Sequence, residues 1–196
     1  MKSNEIGMFE GYLLKCEQTF NQKLSLYGAS WVGFSPQGFI DQIYIKAHRY
    51  KTISQLSERK IPDPPELELY ALINYSIIFI FYLDTDFMDK LYVPLRNAFG
   101  VLPKETKLCI TARYRDEVKK TIQLHLEKDH DYGAAWKDLS IEGIADLIFA
   151  KTLRLKTMVN VKDEIHDKDD PDGIIATLRD ICNYSLFALF LRDLKS

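Results

Sequence analysis

The sequence has little cysteine: Cys16, Cys109 and Cys182 are widely spaced, and no Cys-x-x-Cys pair is present. The odd number and the spacing argue against a disulfide framework and against a zinc site. We therefore expect a reduced, cytoplasmic compartment. The four histidines form no pair at a metal-ligand spacing either, so no histidine is expected to hold a metal.

Long apolar runs are also lacking. The most apolar stretch, LINYSIIFIFYL at residues 72–83, has twelve residues, whereas a membrane-spanning helix needs about 20. Residues 1–10 contain one lysine and no apolar core, so they do not have the pattern of a signal peptide. We expect no membrane-spanning segment.

Neither sign of charge is in excess, since 26 Lys and Arg face 28 Asp and Glu. A protein that coats DNA or RNA needs an excess of cations on one face, so extended nucleic-acid binding is not expected. A pocket for one nucleotide remains compatible with this composition. The chain also lacks Gly-x-Gly-x-x-Gly, Walker and Gly-x-Ser-x-Gly motifs.

The sequence does contain an internal repeat. YGASW at 27–31 matches YGAAW at 132–136, and GFIDQIYIKAHRYKTI at 38–53 matches GIADLIFAKTLRLKTM at 143–158, both at an offset of 105 residues. INYSIIFIF at 73–81 then matches CNYSLFALF at 182–190 at an offset of 109. Three matching blocks in the same order indicate a duplication.

Each repeat is predicted to contain three helices, because apolar residues recur at helical spacing and Pro or Gly separates the segments. The expected helices lie at about 4–24, 36–56 and 65–83 in the first repeat, and at about 111–128, 141–159 and 172–194 in the second. Strand is the alternative for the third segments, which are rich in Ile, Tyr and Phe. Their length and i, i+3, i+4, i+7 pattern favour helix.

The predicted fold is therefore all-α, with two pseudo-symmetric three-helix repeats packed into one helical bundle. Residues 1–84 form the first repeat, 85–109 a connector with a short helix around 88–99, and 110–196 the second repeat. A three-helix unit of this size has a thin core, so the two repeats should pack together as one compact unit. We expect the apolar third helices to form the seam, much as in a twofold dimer.

Charged residues recur in the second helices as Asp41, Lys46 and Arg49, and as Asp146, Lys151 and Arg154. Lys and Arg are three residues apart and therefore neighbours on the helix. One interpretation is a solvated edge with local ion pairs, which contribute little. The alternative is that Lys46 with Arg49, and Lys151 with Arg154, bind a phosphate.

The third helices share Asn74 and Asn183 among apolar neighbours. A buried Asn must bond something: a loop, the other Asn, the edge of a base or a metal-bound water. Asp180 precedes Asn183 by three residues, whereas the first repeat has Ala71 at that position. The second repeat is therefore the better candidate for a site, with Asp146 and Asp180 as its catalytic and metal-binding carboxylates.

The Tyr-Gly-Ala-x-Trp loops contribute aromatic rings that we expect mainly to fasten each loop to the helices. The alternative is that one of these rings stacks on a nucleobase. In the second repeat the candidates are Tyr132 and Trp136.

DYGAAW at 131–136, DLIFAKTLRLKTM at 146–158 and DICNYSLFAL at 180–189 together resemble the nucleotide modification associated domain family of the first type. The resemblance extends over about 5–84 and 110–194 and is closer in the second repeat. It implies a helical domain of bacteria and phages linked to nucleotide metabolism or modification. The family pattern corresponds here to Tyr132, Gly133, Trp136, Asp146, Lys151, Arg154, Asp180 and Asn183.

In architecture the chain also resembles the all-α NTP pyrophosphohydrolases, which hold magnesium on facing acidic helices. It lacks their Glu-Glu-x-x-Glu motif, and only Asp146 and Asp180 are candidates for a Mg²⁺ site. Two hypotheses follow: a protein that binds or processes a nucleotide, with Mg²⁺ as its cofactor, or a non-catalytic scaffold that binds a protein. A homodimer is compatible with both.

Overall fold

The computed structural model describes residues 3–56, 58, 60, 62–97, 102–131, 133–159 and 172–194. These residues form seven α-helices and contain no β-strand. The first repeat contributes α1 (Ser3–Tyr27), α2 (Pro36–Gln55) and α3 (Glu66–Tyr82), and α4 (Thr85–Asn97) lies between the repeats. The second repeat contributes α5 (Lys104–Asp131), α6 (Ile141–Thr157) and α7 (Ile174–Asp193). The all-α prediction is confirmed, and the segment INYSIIFIF is helical.

The second helix of each repeat begins at an equivalent cap. The hydroxyl of Ser35 accepts a hydrogen bond from the backbone N–H of Gly38, and the hydroxyl of Ser140 accepts one from Gly143. Each cap satisfies an N–H group that has no partner inside the helix. The duplication therefore preserved the local signal that starts the helix.

The third helices form the seam, as predicted, because α3 and α7 make the most extensive interhelical contact of the described chain. The thiol of Cys182 lies 3.8 Å from the carbonyl oxygen of Ile73. These two residues occupy the same position in the two repeats. Contact between equivalent positions places them on the pseudo-twofold axis that relates the repeats.

The helices α2 and α6 form a second seam, which the sequence did not indicate. The rings of Tyr44 and Phe149, again equivalent positions, lie 5.8 Å apart. The ammonium group of Lys51 lies 4.9 Å from the centre of the Phe149 ring, and that of Lys156 lies 3.6 Å from the centre of the Tyr44 ring. This reciprocal pair of cation–π contacts is what an isologous interface produces.

The helix α5 begins at Lys104, seven residues before the predicted start near Thr111. Its first turns lack a clear apolar stripe, yet Thr106 and Ile110 are buried against the bundle. Tertiary packing therefore extends the helix beyond its periodic segment. The helix α4 begins at Thr85, three residues before its predicted start near Met88. It begins next to Asp84, whose carboxylate accepts a hydrogen bond from the N–H of Phe87.

The helix α7 is long and apolar enough to cross a membrane by length and composition. In the structure, 72% of the most apolar 18-residue stretch of this helix is buried inside the protein. Its buried apolar side chains belong to the hydrophobic core of the bundle.

Candidate functional site

The buried faces of the first helices of the two repeats differ in polarity. At an offset of 105 residues, both helices bury the same five positions. In α1 these positions are mostly apolar: Phe9, Tyr12, Cys16, Phe20 and Leu24. In α5 they are mostly polar: Tyr114, Glu117, Thr121, His125 and Asp129. Since buried polar groups destabilise a protein unless they are bonded, the α5 face is where a functional site is expected.

A cleft of about 400 Å³ lies at the C-terminal end of this polar face, between α5, the loop after it, α6 and α7. Its volume falls within the range of small-molecule sites. The cleft is lined both by polar and charged side chains and by apolar and aromatic ones. The lining residues are His125, Lys128, Asp129, Ala135, Trp136, Leu139, Leu147, Asp180, Asn183, Tyr184 and Phe187.

Asp180 lies between two lysines. Its carboxylate accepts a hydrogen bond from Lys128 on α5 at 2.7 Å and one from Lys151 on α6 at 2.6 Å. Burial would raise the pKa of Asp180, but these two ammonium groups outweigh it and hold the pKa below its usual value. The carboxylate is therefore ionised at neutral pH and ties together three helices.

Asp129 fixes the aromatic wall of the cleft. Its carboxylate accepts a hydrogen bond from the indole N–H of Trp136 at 2.8 Å. The Trp136 ring stacks on Phe187 with 4.4 Å between ring centres. In the first repeat Leu24 stands at the position of Asp129, and the indole N–H of Trp31 has no hydrogen-bond partner within the described chain.

His125 packs into the same aromatic group, with its ring centre 5.1 Å from that of Phe187. Burial lowers the pKa of His125, so the imidazole is neutral at pH 7. Its counterpart in the first repeat is Phe20, which stacks on Tyr114 at 4.4 Å.

The loop that carries Trp136 is strained in the second repeat only. Ala134 has φ 57° and ψ 31°, a left-handed conformation that costs a residue with a Cβ about 1 kcal/mol. The equivalent Ala29 has φ −90°. Such strain is concentrated at functional sites, and here it positions the loop beside the cleft.

Three of the predicted site residues line this cleft: Trp136, Asp180 and Asn183. Asn183 is 4% exposed, and its Oδ1 atom accepts no hydrogen bond from the described residues. Lys151 reaches the cleft indirectly, through Asp180. Tyr132 lies outside the described residues, so its proposed role stays a prediction.

Asp146 is not among the residues that line the cleft. Its side chain is 60% exposed and pairs with Lys51 of the first repeat at 2.8 Å. Across the described ranges of the chain, no group of three or more His, Cys, Asp or Glu side chains is arranged to hold a metal. The expected joint role of Asp146 and Asp180 in binding Mg²⁺ therefore stays a prediction, and Asp180 meets two ammonium groups where a cation would bind.

The recurring Lys-Arg pairs have protein partners. Lys46 and Arg49 both pair with the buried Glu68, at 3.3 and 2.8 Å. Arg154 donates a hydrogen bond to the backbone carbonyl of Asp172 at 2.6 Å. Lys46 and Arg49 thus form ion pairs with a buried carboxylate, Arg154 bonds a backbone carbonyl, and the phosphate-binding role of the pairs stays a prediction.

Asn74 is also engaged within the protein. Its Oδ1 accepts a hydrogen bond from the hydroxyl of Tyr114 at 2.5 Å, so the two recurring asparagines have different environments. Sequence reasoning missed His125, Lys128, Asp129, Tyr184 and Phe187 as cleft residues. Aligning α5 with α1 at the offset of the repeat would have identified His125 and Asp129, which replace Phe20 and Leu24.

The model of nucleotide modification associated domain 1 matches the chain over residues 23–83 and again over 128–191. The chain belongs to this family. The two matches correspond to the two repeats, so the protein carries the family domain twice. No curated protein sequence and no solved structure matches the chain significantly.

Proposed function

We propose that the cleft of the second repeat binds a nucleotide. The observation that carries this proposal is that aromatic and apolar side chains and charged side chains line the same cleft of about 400 Å³. A base needs a flat apolar surface on which to stack, and a phosphate needs a cation at the rim. The family name, which refers to nucleotide modification, agrees with this proposal.

The base would contact Tyr184 and Leu147 in this arrangement. Tyr184 is half-buried and Leu147 partly exposed, so both retain surface for a ligand. Trp136 is 8% exposed and already stacked on Phe187. Its role is therefore to form the wall, and a base would meet its edge.

The phosphate would lie near Lys128, which lines the cleft and whose side chain is 42% exposed. Lys128 and Lys151 are balanced by Asp129 and Asp180, so the charges around the cleft sum to about zero. A triphosphate carries about four negative charges and would meet two carboxylates without a surplus of cations. The cleft therefore favours a nucleoside monophosphate.

Isothermal titration calorimetry with AMP, GMP, CMP, UMP and dTMP, each with and without Mg²⁺, tests the proposal. We expect at least one monophosphate to bind with micromolar affinity. Leu147→Trp should fill the cleft and abolish binding, whereas Gln42→Trp, the matched change in the first repeat, should leave it intact. Absence of binding by the wild-type protein at millimolar nucleotide would overturn the proposal, and an affinity independent of Mg²⁺ would speak against a magnesium site.

A non-catalytic scaffold is the second candidate, and the engagement of Lys46, Arg49 and Arg154 within the protein favours it. The variant Arg154→Ala distinguishes a structural role of Arg154 from a role in binding phosphate. We expect the variant to lose stability, because the hydrogen bond from Arg154 to the carbonyl of Asp172 links α6 to the start of α7, and to keep its affinity for nucleotide. Loss of affinity at unchanged stability would instead support the predicted phosphate contact.

A further inference from the structure

Asn183 differs from its counterpart in the other repeat in one respect. Both asparagines lie on third helices, but the amide oxygen of Asn74 accepts a hydrogen bond from Tyr114, whereas that of Asn183 has no partner among the described residues. Asn183 is 96% buried and borders the cleft. An unpaired buried amide destabilises a protein, so its presence beside a cleft indicates a group that bonds a ligand.

The reason that Asn183 is unpaired lies in α1. The position equivalent to Tyr114 is Phe9, at the offset of 105 residues. Phe9 lies 4.7 Å from His125 between ring centres, as Tyr114 lies 4.4 Å from Phe20, the counterpart of His125. The Phe9 ring therefore occupies the place of the Tyr114 ring but has no hydroxyl to donate to the amide.

We infer that Asn183 determines the specificity of the cleft by hydrogen-bonding the edge of a nucleobase. This inference rests on the proposed nucleotide binding and adds the part of the ligand that is recognised. An asparagine amide carries a donor and an acceptor side by side, and it pairs with a ring edge that offers the complementary pair. Tyr184, the next residue on α7, supplies the adjacent ring surface. A sugar phosphate without a base would use neither group.

The substitution Phe9→Tyr tests this directly, because it restores in the second repeat the hydroxyl present in the first. The new hydroxyl should donate to Asn183, raise Tm by about 2–4 °C through one additional buried hydrogen bond, and weaken binding of the monophosphate at least tenfold. Asn183→Leu should weaken binding to the same extent by removing the amide. Tyr114→Phe, the matched control, should lower Tm and leave affinity unchanged.

The probes are the five nucleoside monophosphates above, with ribose 5-phosphate as the ligand that lacks a base. Binding is measured by calorimetry and Tm by differential scanning calorimetry without ligand. We expect ribose 5-phosphate to bind the wild-type protein as weakly as the preferred monophosphate binds Asn183→Leu.

The outcomes separate this inference from the proposed function. If the wild-type protein binds a monophosphate and both Phe9→Tyr and Asn183→Leu retain that affinity, the role of Asn183 is refuted while nucleotide binding stands. If ribose 5-phosphate binds as tightly as the monophosphate, recognition of the base is refuted. If the wild-type protein binds none of the probes, the proposed function fails and this inference fails with it.

Discussion

Replacement of Asp180 by alanine removes the carboxylate that joins α5, α6 and α7. Two charge-assisted hydrogen bonds are lost, from Lys128 at 2.7 Å and from Lys151 at 2.6 Å. Such a bond contributes about 1.5–3 kcal/mol when it is shielded from water. The lysine side chains are 42% and 25% exposed, so solvent screening reduces each bond to about 1 kcal/mol. We therefore expect Asp180→Ala to lower the free energy of unfolding by about 2 kcal/mol.

In a protein of this size, that loss corresponds to a decrease in Tm of about 4–8 °C. Urea unfolding followed by circular dichroism at pH 7 measures the free energy, and differential scanning calorimetry measures Tm. The matched control is Asp146→Ala, which removes an exposed carboxylate paired with Lys51. This substitution should change the free energy of unfolding by less than about 0.5 kcal/mol.

The effect of Asp180→Ala should also depend on pH. The folded protein holds the pKa of Asp180 below the value of 3.8 for a free carboxyl. The carboxylate therefore stabilises the fold fully above that value, and its contribution is lost as the pH falls through the lower, folded pKa. The difference between wild type and variant should shrink in strong acid. A variant within 0.5 kcal/mol of wild type at pH 7, or as stable as Asp146→Ala, would refute this reasoning.

Three further predictions concern α5 and the loop after it. Ala134→Gly should raise the free energy of unfolding by about 0.5–1 kcal/mol, because glycine adopts the left-handed conformation without strain. Urea unfolding measures this change, and the control variant Ala29→Gly should show no stabilisation. Since burial lowers the pKa of His125, the unfolded chain binds a proton first as pH falls below about 6.5, and stability decreases there. The free energy of unfolding should therefore be lower at pH 5.5 than at pH 7.5, and His125→Phe should make this difference smaller. If the difference is the same in the variant and the wild type, His125 is not its cause. Glu117→Gln should lower the free energy of unfolding by about 3 kcal/mol, because this buried carboxylate pairs with Arg113, Lys120 and Arg179. A Tm close to that of the wild type would show that these ion pairs do not stabilise the protein.

The sequence predicted the helical elements well because their signals are local. The caps at Ser35 and Ser140 and the apolar spacing of the third helices are each contained in one short segment. The start of α5 was misplaced because Thr106 and Ile110 are buried by other helices rather than by a periodic stripe of their own. Local patterns thus define where a helix is favoured, and packing decides how far it extends.

The candidate site was only partly predictable. The loss of symmetry at Asp180 and Ala71 indicated the second repeat, which is where the cleft lies. The expected partners of the charged residues were not identified, because Lys128 comes from α5, 52 positions away from Asp180. The meeting of Asp180 with two lysines from different helices is a property of helix packing and has no counterpart in residue spacing.

The sequence alone determined that this protein is a duplicated helical unit, because the repeat is carried by matching residues and needs no coordinates. Only the tertiary structure decided what the polar residues do. The pseudo-twofold axis brings α1 of one repeat against α7 of the other, so the ring of Phe9 stacks on that of Phe190 with 5.4 Å between ring centres. A hydrogen bond depends on distances between atoms that are remote in the chain, and these distances are set by packing.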